Sequence, residues 1–219
     1  MFTNPTMPNL PDYTAFLYGT VGIPKANLPS VTGAASGGST TTLVDTTQSW
    51  TTGQWAGAAV LDTTQNVLAW VPSNTATTLN FASPLANPVV ATDAYLLVNG
   101  FIAITLKIAT EIVNDVLNLA SPLIYTLGVY NLAADRLINF AVDQPNQTYF
   151  DDQRKNLNIM MPSVGVVSSS SDESTSTSLL NPEAMKTFTL QDLQTLKTFY
   201  GRTYMSYAQM YGPDIWGLS

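Results

Sequence analysis

FIAITLKIATEIVNDVLNLA, residues 101–120, followed at once by Ser121-Pro122, is the stretch on which the fold turns. Lys107, Glu111, Asn114, Asp115 and Asn118 recur at three- and four-residue spacing, while Ile102, Leu106, Ile108, Ile112, Val116 and Leu119 occupy the other faces. The spacing predicts an amphipathic helix over 101–120. A membrane span needs ~20 mostly apolar residues, and the charges Lys107, Glu111 and Asp115 with their amide neighbours along one stripe argue against one. Ser121 supplies an N-cap and Pro122 a first-turn residue for a second helix. Its apolar face is Leu123, Leu127, Tyr130, Ala134, Leu137, Ile138 and Ala141, with Asn131, Asp135 and Asn139 four apart on another. So short a link predicts an antiparallel helical hairpin.

Upstream, the period changes from helical to alternating. Residues 30–98 hold short runs rich in Thr, Val, Leu and aromatics between Gly, Asn, Asp and Pro turn signals. They predict strands at 41–44, 58–62, 67–71, 77–81 and 94–98, with turns at Gln65-Asn66 and Ser73-Asn74. Trp50, Trp55 and Trp70 are either core anchors or an aromatic platform for sugars, and the core reading is favoured because large aromatics dominate small cores. Residues 1–29 carry prolines at 5, 8, 11, 24 and 29 around Tyr13, Phe16 and Tyr18. Repeated proline predicts an extended arm whose aromatics dock on the chain's own core or on a neighbour. No basic start or apolar run marks residues 1–11 as a secretory signal, and export by that route is not expected.

Downstream, residues 143–188 read as loop. Asp151 to Lys155 form a short helix or a solvated turn, and the serine-rich segment 168–178 should be mobile because it offers too little apolar surface to offset its ordering entropy. A last helix begins near Thr189, where Thr189 and Asp192 have the spacing of a capping box. Leu190, Leu193, Leu196 and Phe199 or Tyr200 form its stripe, and Gly201 is expected to interrupt it. Residues 201–219 are too aromatic for an ordinary solvated end and read as a docking tail.

The chain has no histidine and no cysteine in 219 residues. That removes the imidazole base, the thiolate nucleophile and the thiolate metal site together. Asp151 and Asp152 are adjacent and do not face each other on a helix or strand, so they make a poor acid–base pair. Asp172 and Glu173 lie where nothing rigid positions them. Gly37-Gly38-Ser39-Thr40 lacks the lysine of a phosphate-binding loop, and no spacing singles out Lys107, Lys155, Lys186 or Lys197 as the partner of a serine nucleophile. The expectation is a protein that is not an enzyme and has no cofactor or metal. Only 11% of residues are charged and the formal charge is −7, which suits neutral subunit interfaces and disfavours clamping on nucleic-acid phosphates.

Thr40 to Trp50 (TTTLVDTTQSW), then Gln54-Trp55-Ala56-Gly57 and Asn74 to Leu79 (NTATTL), resemble a small β-module of phage virion proteins. Tyr130 to Asn139 (YNLAADRLIN), Tyr149-Phe150, a late helix and the ending Tyr211 to Leu218 (YGPDIWGL) resemble the head-to-tail adaptor (connector) family of short-tailed bacteriophages, over about the C-terminal half. That resemblance implies a structural virion protein at the head–tail junction, or neck. It would form a ring, commonly a dodecamer of itself, between the portal protein and the tail or nozzle proteins, with double-stranded DNA passing through unread. The portal-side residues it implies are Tyr204, Tyr207, Met210, Tyr211, Ile215 and Trp216. The rival readings are another neck, tail or capsid-decoration protein, or a carbohydrate-binding virion module. The expected fold is α+β: an antiparallel α-helical bundle, residues 99–200, with an inserted small all-β domain (barrel or sandwich), residues 30–98, and extended terminal arms.

Overall fold

The computed structural model describes residues 3–159, 169–172, 175–178 and 189–211. The first element corrects an expectation. Residues 10–16 are a helix, α1 (Leu10–Phe16), continued by a π-helical turn over Leu17–Val21 that ends at Gly22 in the left-handed region. Asn9 caps α1, its side chain accepting from the Asp12 amide at 2.9 Å. Pro11 sits in the first turn, where a missing N–H costs nothing, so the proline that argued against a helix helps to start one. The aromatics dock on the chain's own core: the Tyr13 ring lies 5.5 Å and the Phe16 ring 5.7 Å from that of Tyr130, and the Tyr13 hydroxyl meets Thr105 Oγ1 at 3.3 Å.

Eight strands follow, β1 (Ser30–Ala34), β2 (Gly37–Gly38), β3 (Thr42–Val44), β4 (Ala58–Asp62), β5 (Val67–Val71), β6 (Ser73–Asn74), β7 (Thr78–Asn80) and β8 (Ala94–Val98). They form two antiparallel four-stranded sheets, ordered β1-β8-β4-β5 and β2-β3-β7-β6. The sheets share a core of Leu43, Leu79, Val60, Val71 and Leu97, and the barrel alternative is thereby set aside. Asn66 turns the β4–β5 hairpin with φ +56°, as its position suggested. Ser73-Asn74, expected as a turn, is instead a strand paired with β7. The Asn74 carboxamide does the turn's work elsewhere, accepting from the Trp55 amide (2.8 Å) and donating to the Thr51 carbonyl (3.0 Å).

The two central strands of the larger sheet, β8 and β4, are buried on both faces. Along β4 and β8, Ala58, Val60, Tyr95 and Leu97 point into the core between the sheets, while Ala59, Leu61, Leu96 and Val98 join the core of the helices. A period of two with apolar residues at both phases gives an unbroken apolar run such as Ala58 to Leu61, and this sheet is the middle layer between the small sheet and the helices. Inside the β-unit Asp45 is fully buried and accepts from the Tyr95 hydroxyl (2.6 Å), the Thr47 amide and hydroxyl, and Gln48. Burial pushes its carboxyl up, but those donors outweigh burial and leave it below the usual value.

β8 passes through Asn99 directly into α2 (Gly100–Ile112). The long helix expected over 101–120 is broken. Val113 is extended, and Asn114 Oδ1 accepts from the Val116 amide at 2.9 Å to start α3 (Val116–Ala120), a side-chain competition with the backbone typical of Asn. α4 (Pro122–Phe140) begins at Ser121 and Pro122 as expected and packs on α2. α5 (Tyr149–Asn156) starts where the Asp143 carboxylate accepts from the Phe150 and Asp151 amides. Its Arg154 donates to the Ile138 and Ala141 carbonyls at the end of α4.

In the serine-rich segment, β9 (Ser169–Asp172) and β10 (Thr175–Ser178) pair as an antiparallel ribbon, where a mobile loop was expected. α6 (Leu190–Thr195) carries the full capping box of Thr189 and Asp192, and α7 (Phe199–Tyr211) follows. The interruption lies at Leu196 to Thr198, one turn before the expected Gly201, which is inside α7. Among the described residues no helix is long and apolar enough to cross a membrane.

Candidate docking surface

α7 packs on α4 through Gly201, Met205 and Ala208, spaced four and three apart, all buried. Gly201 is there because nothing larger fits. A Cβ would stand 1.8 Å from the Thr195 carbonyl oxygen and 2.9 Å from Asp135 Oδ1. Asp135, on α4, is wholly buried at this contact. Its Oδ1 accepts from the Thr198 hydroxyl at 2.6 Å, whose oxygen in turn accepts from the Gly201 amide at 2.8 Å, and Arg136 lies 4.0 Å from Oδ2. Burial raises the Asp135 carboxyl to about 6 against the opposing pull of Thr198, Arg136 and Asn139.

The residues expected on the portal side divide. Tyr204 and Tyr207 are half-buried against the helical core of their own chain, and burial raises the Tyr204 phenol despite Arg136 nearby. Met210 and Tyr211, 67% and 39% exposed, lie at the end of α7, where Met210 Sδ accepts from the Ser206 hydroxyl at 3.9 Å. Ile215 and Trp216 lie outside the described residues. The expected docking tail is therefore, through Tyr211, mostly a packed helix with an exposed end.

A second apolar surface was not read from the sequence. Ile104, Ile108 and Ile112, four apart on α2, are 38%, 38% and 45% exposed. The same helix buries Ile102, Thr105, Leu106 and Ala109. Leu119, Leu123, Phe140 and Val142 are also exposed on the helical side of the molecule. The available signal was an apolar helix with more isoleucines than one buried face can use.

The remaining chemistry stays scattered. Asp151 pairs with Lys155 one turn along α5, while Asp152 accepts from the Thr148 hydroxyl at 2.8 Å. Gly37-Gly38 is a strand paired with β3. Lys197 donates to the Asn158 carbonyl at 3.0 Å, and Lys186 and Glu173 lie outside the described residues. Among the described residues no group of three or more carboxylates could hold a metal. Trp50 and Trp55 are buried between the sheets, whereas Trp70 turns to the helical side and is half-buried, so the three do not make one platform. Trp70 and Phe101 instead flank a cleft of about 700 Å³ at the junction of the sheet with α2.

No family model, curated protein or solved structure matches this chain.

Proposed function

We propose that this chain is a structural subunit of a tailed bacteriophage, one copy of the ring that connects the portal vertex to the tail and lets DNA pass. The observation that carries the assembly reading is the isoleucine stripe of α2. A packed helix that already buries Ile102, Leu106 and Ala109 gains nothing in isolation from a second apolar stripe in water. Covering such half-exposed isoleucines contributes on the order of 1 kcal/mol each, and a ring repeats that gain at every interface. The portal and tail assignment rests on the adaptor-like residues 130–139, Tyr149-Phe150 and the 211–218 ending. The low charged fraction suits neutral interfaces, and the net charge of −7 suits a channel that does not hold DNA. In this reading α2 contacts the neighbouring copy, and the end of α7 with residues 212–219 meets the portal.

The test is the mass of the purified chain alone and mixed with a candidate portal protein. A ring is expected, and Ile108→Asp should reduce it to monomer while leaving the fold intact. Removing residues 212–219 should abolish portal binding without loss of stability. The cut cannot begin at Tyr204, since Tyr204, Met205 and Ala208 belong to the chain's own core. A monomer at all concentrations, with no mass gained beside the portal, would refute the proposal.

A further inference from the structure

The cleft beside Trp70 is unlike the rest of the surface. Pro29, Trp70, Phe101 and Ile104 supply its apolar wall, with the otherwise buried Trp55 beneath them; Gln54, Asn99 and Gln144 supply its polar groups, and no charged side chain lines it. Its volume of about 700 Å³ lies in the range of small-molecule sites, roughly 300–1,000 Å³. Two of the carboxamides are held in one orientation. Asn99 Oδ1 accepts from the Phe101 amide at 2.9 Å, and Gln54 Oε1 from the Thr51 amide at 2.9 Å. Each oxygen already accepts one hydrogen bond, and the amino end of each is the donor left over. Among the described hydrogen bonds, neither amino group nor the Gln144 side chain has a protein partner.

The floor between these groups is bare backbone. Gly57, at φ +82°, ends the Trp55-Ala56-Gly57 turn into β4, and Gly100 starts α2 against it. A Cβ on Gly100 would stand 2.0 Å from the Gly57 carbonyl oxygen and 3.6 Å from the Trp70 ring. Two backbones in contact thus close the cleft with no side chain between Trp70 and Phe101. Ala58 of β4, Trp70 of β5 and Gly100, Phe101 and Ile104 of α2 belong to regular elements, while Gln54, Asn99 and Gln144 lie on the connections beside them.

We propose that this cleft is a binding site for a short neutral saccharide. A charged ligand would be desolvated with no counter-charge in the lining, and an anion would also meet the field of a chain carrying −7. A purely apolar ligand or peptide side chain would bury the free carboxamides without partners, and that desolvation would offset most of what its apolar burial contributes. A pyranose satisfies both halves of the lining. Its C–H face stacks on the Trp70 indole, and its hydroxyls accept from Asn99 and Gln54 and exchange hydrogen bonds with Gln144. The cleft shares Ile104 with the α2 stripe, so the inference requires that a neighbouring copy seated on that stripe leave Trp70, Asn99 and Gln144 open.

The full-length chain is titrated with maltotriose, cellotriose and N,N′-diacetylchitobiose to ~20 mM, read by saturation-transfer NMR and tryptophan fluorescence. Saturable binding of at least one is expected, weakened about tenfold or more by Trp70→Ala, which removes the stacking face. Gln144→Ala, at a half-buried loop side chain, is expected to weaken binding several-fold, by about the loss of one hydrogen bond, with an unchanged melting curve, so a folding defect in Trp70→Ala does not decide the matter. Trp50→Phe, away from the cleft, should bind as the parent does. Failure of all three sugars to bind overturns the inference. So does binding indifferent to Gln144→Ala and to a folded Trp70→Ala, or a disulfide between two Gln144→Cys copies showing that a second chain fills the cleft.

Discussion

Replacing Asp135 by Asn should make the protein's stability less dependent on pH, in a direction opposite to that of most carboxylates. Asp135 has an ordinary value of 3.8 when the chain is unfolded and about 6 in its buried place between α4 and α7. The fold therefore favours the neutral acid. Its contribution is fully present below 3.8 and is lost as the pH rises through 6. A shift of about two units corresponds to roughly 3 kcal/mol at ~1.4 kcal/mol per unit. Asn keeps the acceptor for the Thr198 hydroxyl and is neutral at every pH. The difference in unfolding free energy between Asp135→Asn and the parent should thus move by about 2.5 kcal/mol in favour of the variant between pH 4 and pH 8, the rest of the shift falling below pH 4. That is roughly 6–10 °C of relative melting temperature for a chain of this size. Urea denaturation of both proteins at half-unit pH steps measures it. Any constant cost of placing an amide beside Arg136 shifts all points equally and leaves the slope intact. A difference that stays flat from pH 4 to pH 8, or that moves against the variant, would show that burial does not control this carboxyl.

Two further substitutions probe the packing that holds the site. Gly201→Ala places a methyl 1.8 Å from the Thr195 carbonyl oxygen and should cost more than about 3 kcal/mol by denaturant titration, because the backbone at the end of α6 must move away from α7 to admit it. A cost under about 1 kcal/mol would mean that the α6–α7 turn yields easily. Tyr95→Phe removes the 2.6 Å donor to Asp45 and should cost about 1–3 kcal/mol at pH 7. Because Asp45 is held below 3.8 in the fold, its stabilisation is present above 3.8 and lost as the pH falls through the lower folded value. The gap between variant and parent should therefore close in acid, and a gap that widens there would count against the network.

Much of the architecture was legible because it rests on local chemistry. The short apolar runs of 58–62, 67–71 and 94–98, the Ser121-Pro122 start of α4 and the Thr189/Asp192 box each depend on residues a few positions apart, and each element lies where those residues put it. The misreadings share one cause. By type alone Pro11 reads as a breaker, Gly201 as a stop and Ser73-Asn74 as a turn, although each residue's role depends on what packs beside it. Pro11 falls in a first turn, Gly201 under the Thr195 carbonyl, and Asn74 against Trp55 and Thr51. Within the aromatic run of α7, only the structure separates the half-buried Tyr204 and Tyr207 from the exposed Met210 and Tyr211.

Sequence alone determined most of the element types between residues 58 and 140, the absence of imidazole and thiol chemistry, and an acidic chain with few charges, because composition and period are properties of the chain before it folds. Tertiary structure decided which apolar stripe stays in water, that Asp135 and Asp45 are buried, and that Trp70, Phe101 and Asn99 meet across one cleft. Those facts depend on contacts between residues tens of positions apart. Such contacts are selected by the packing of whole layers and leave no periodic trace in the order of residues.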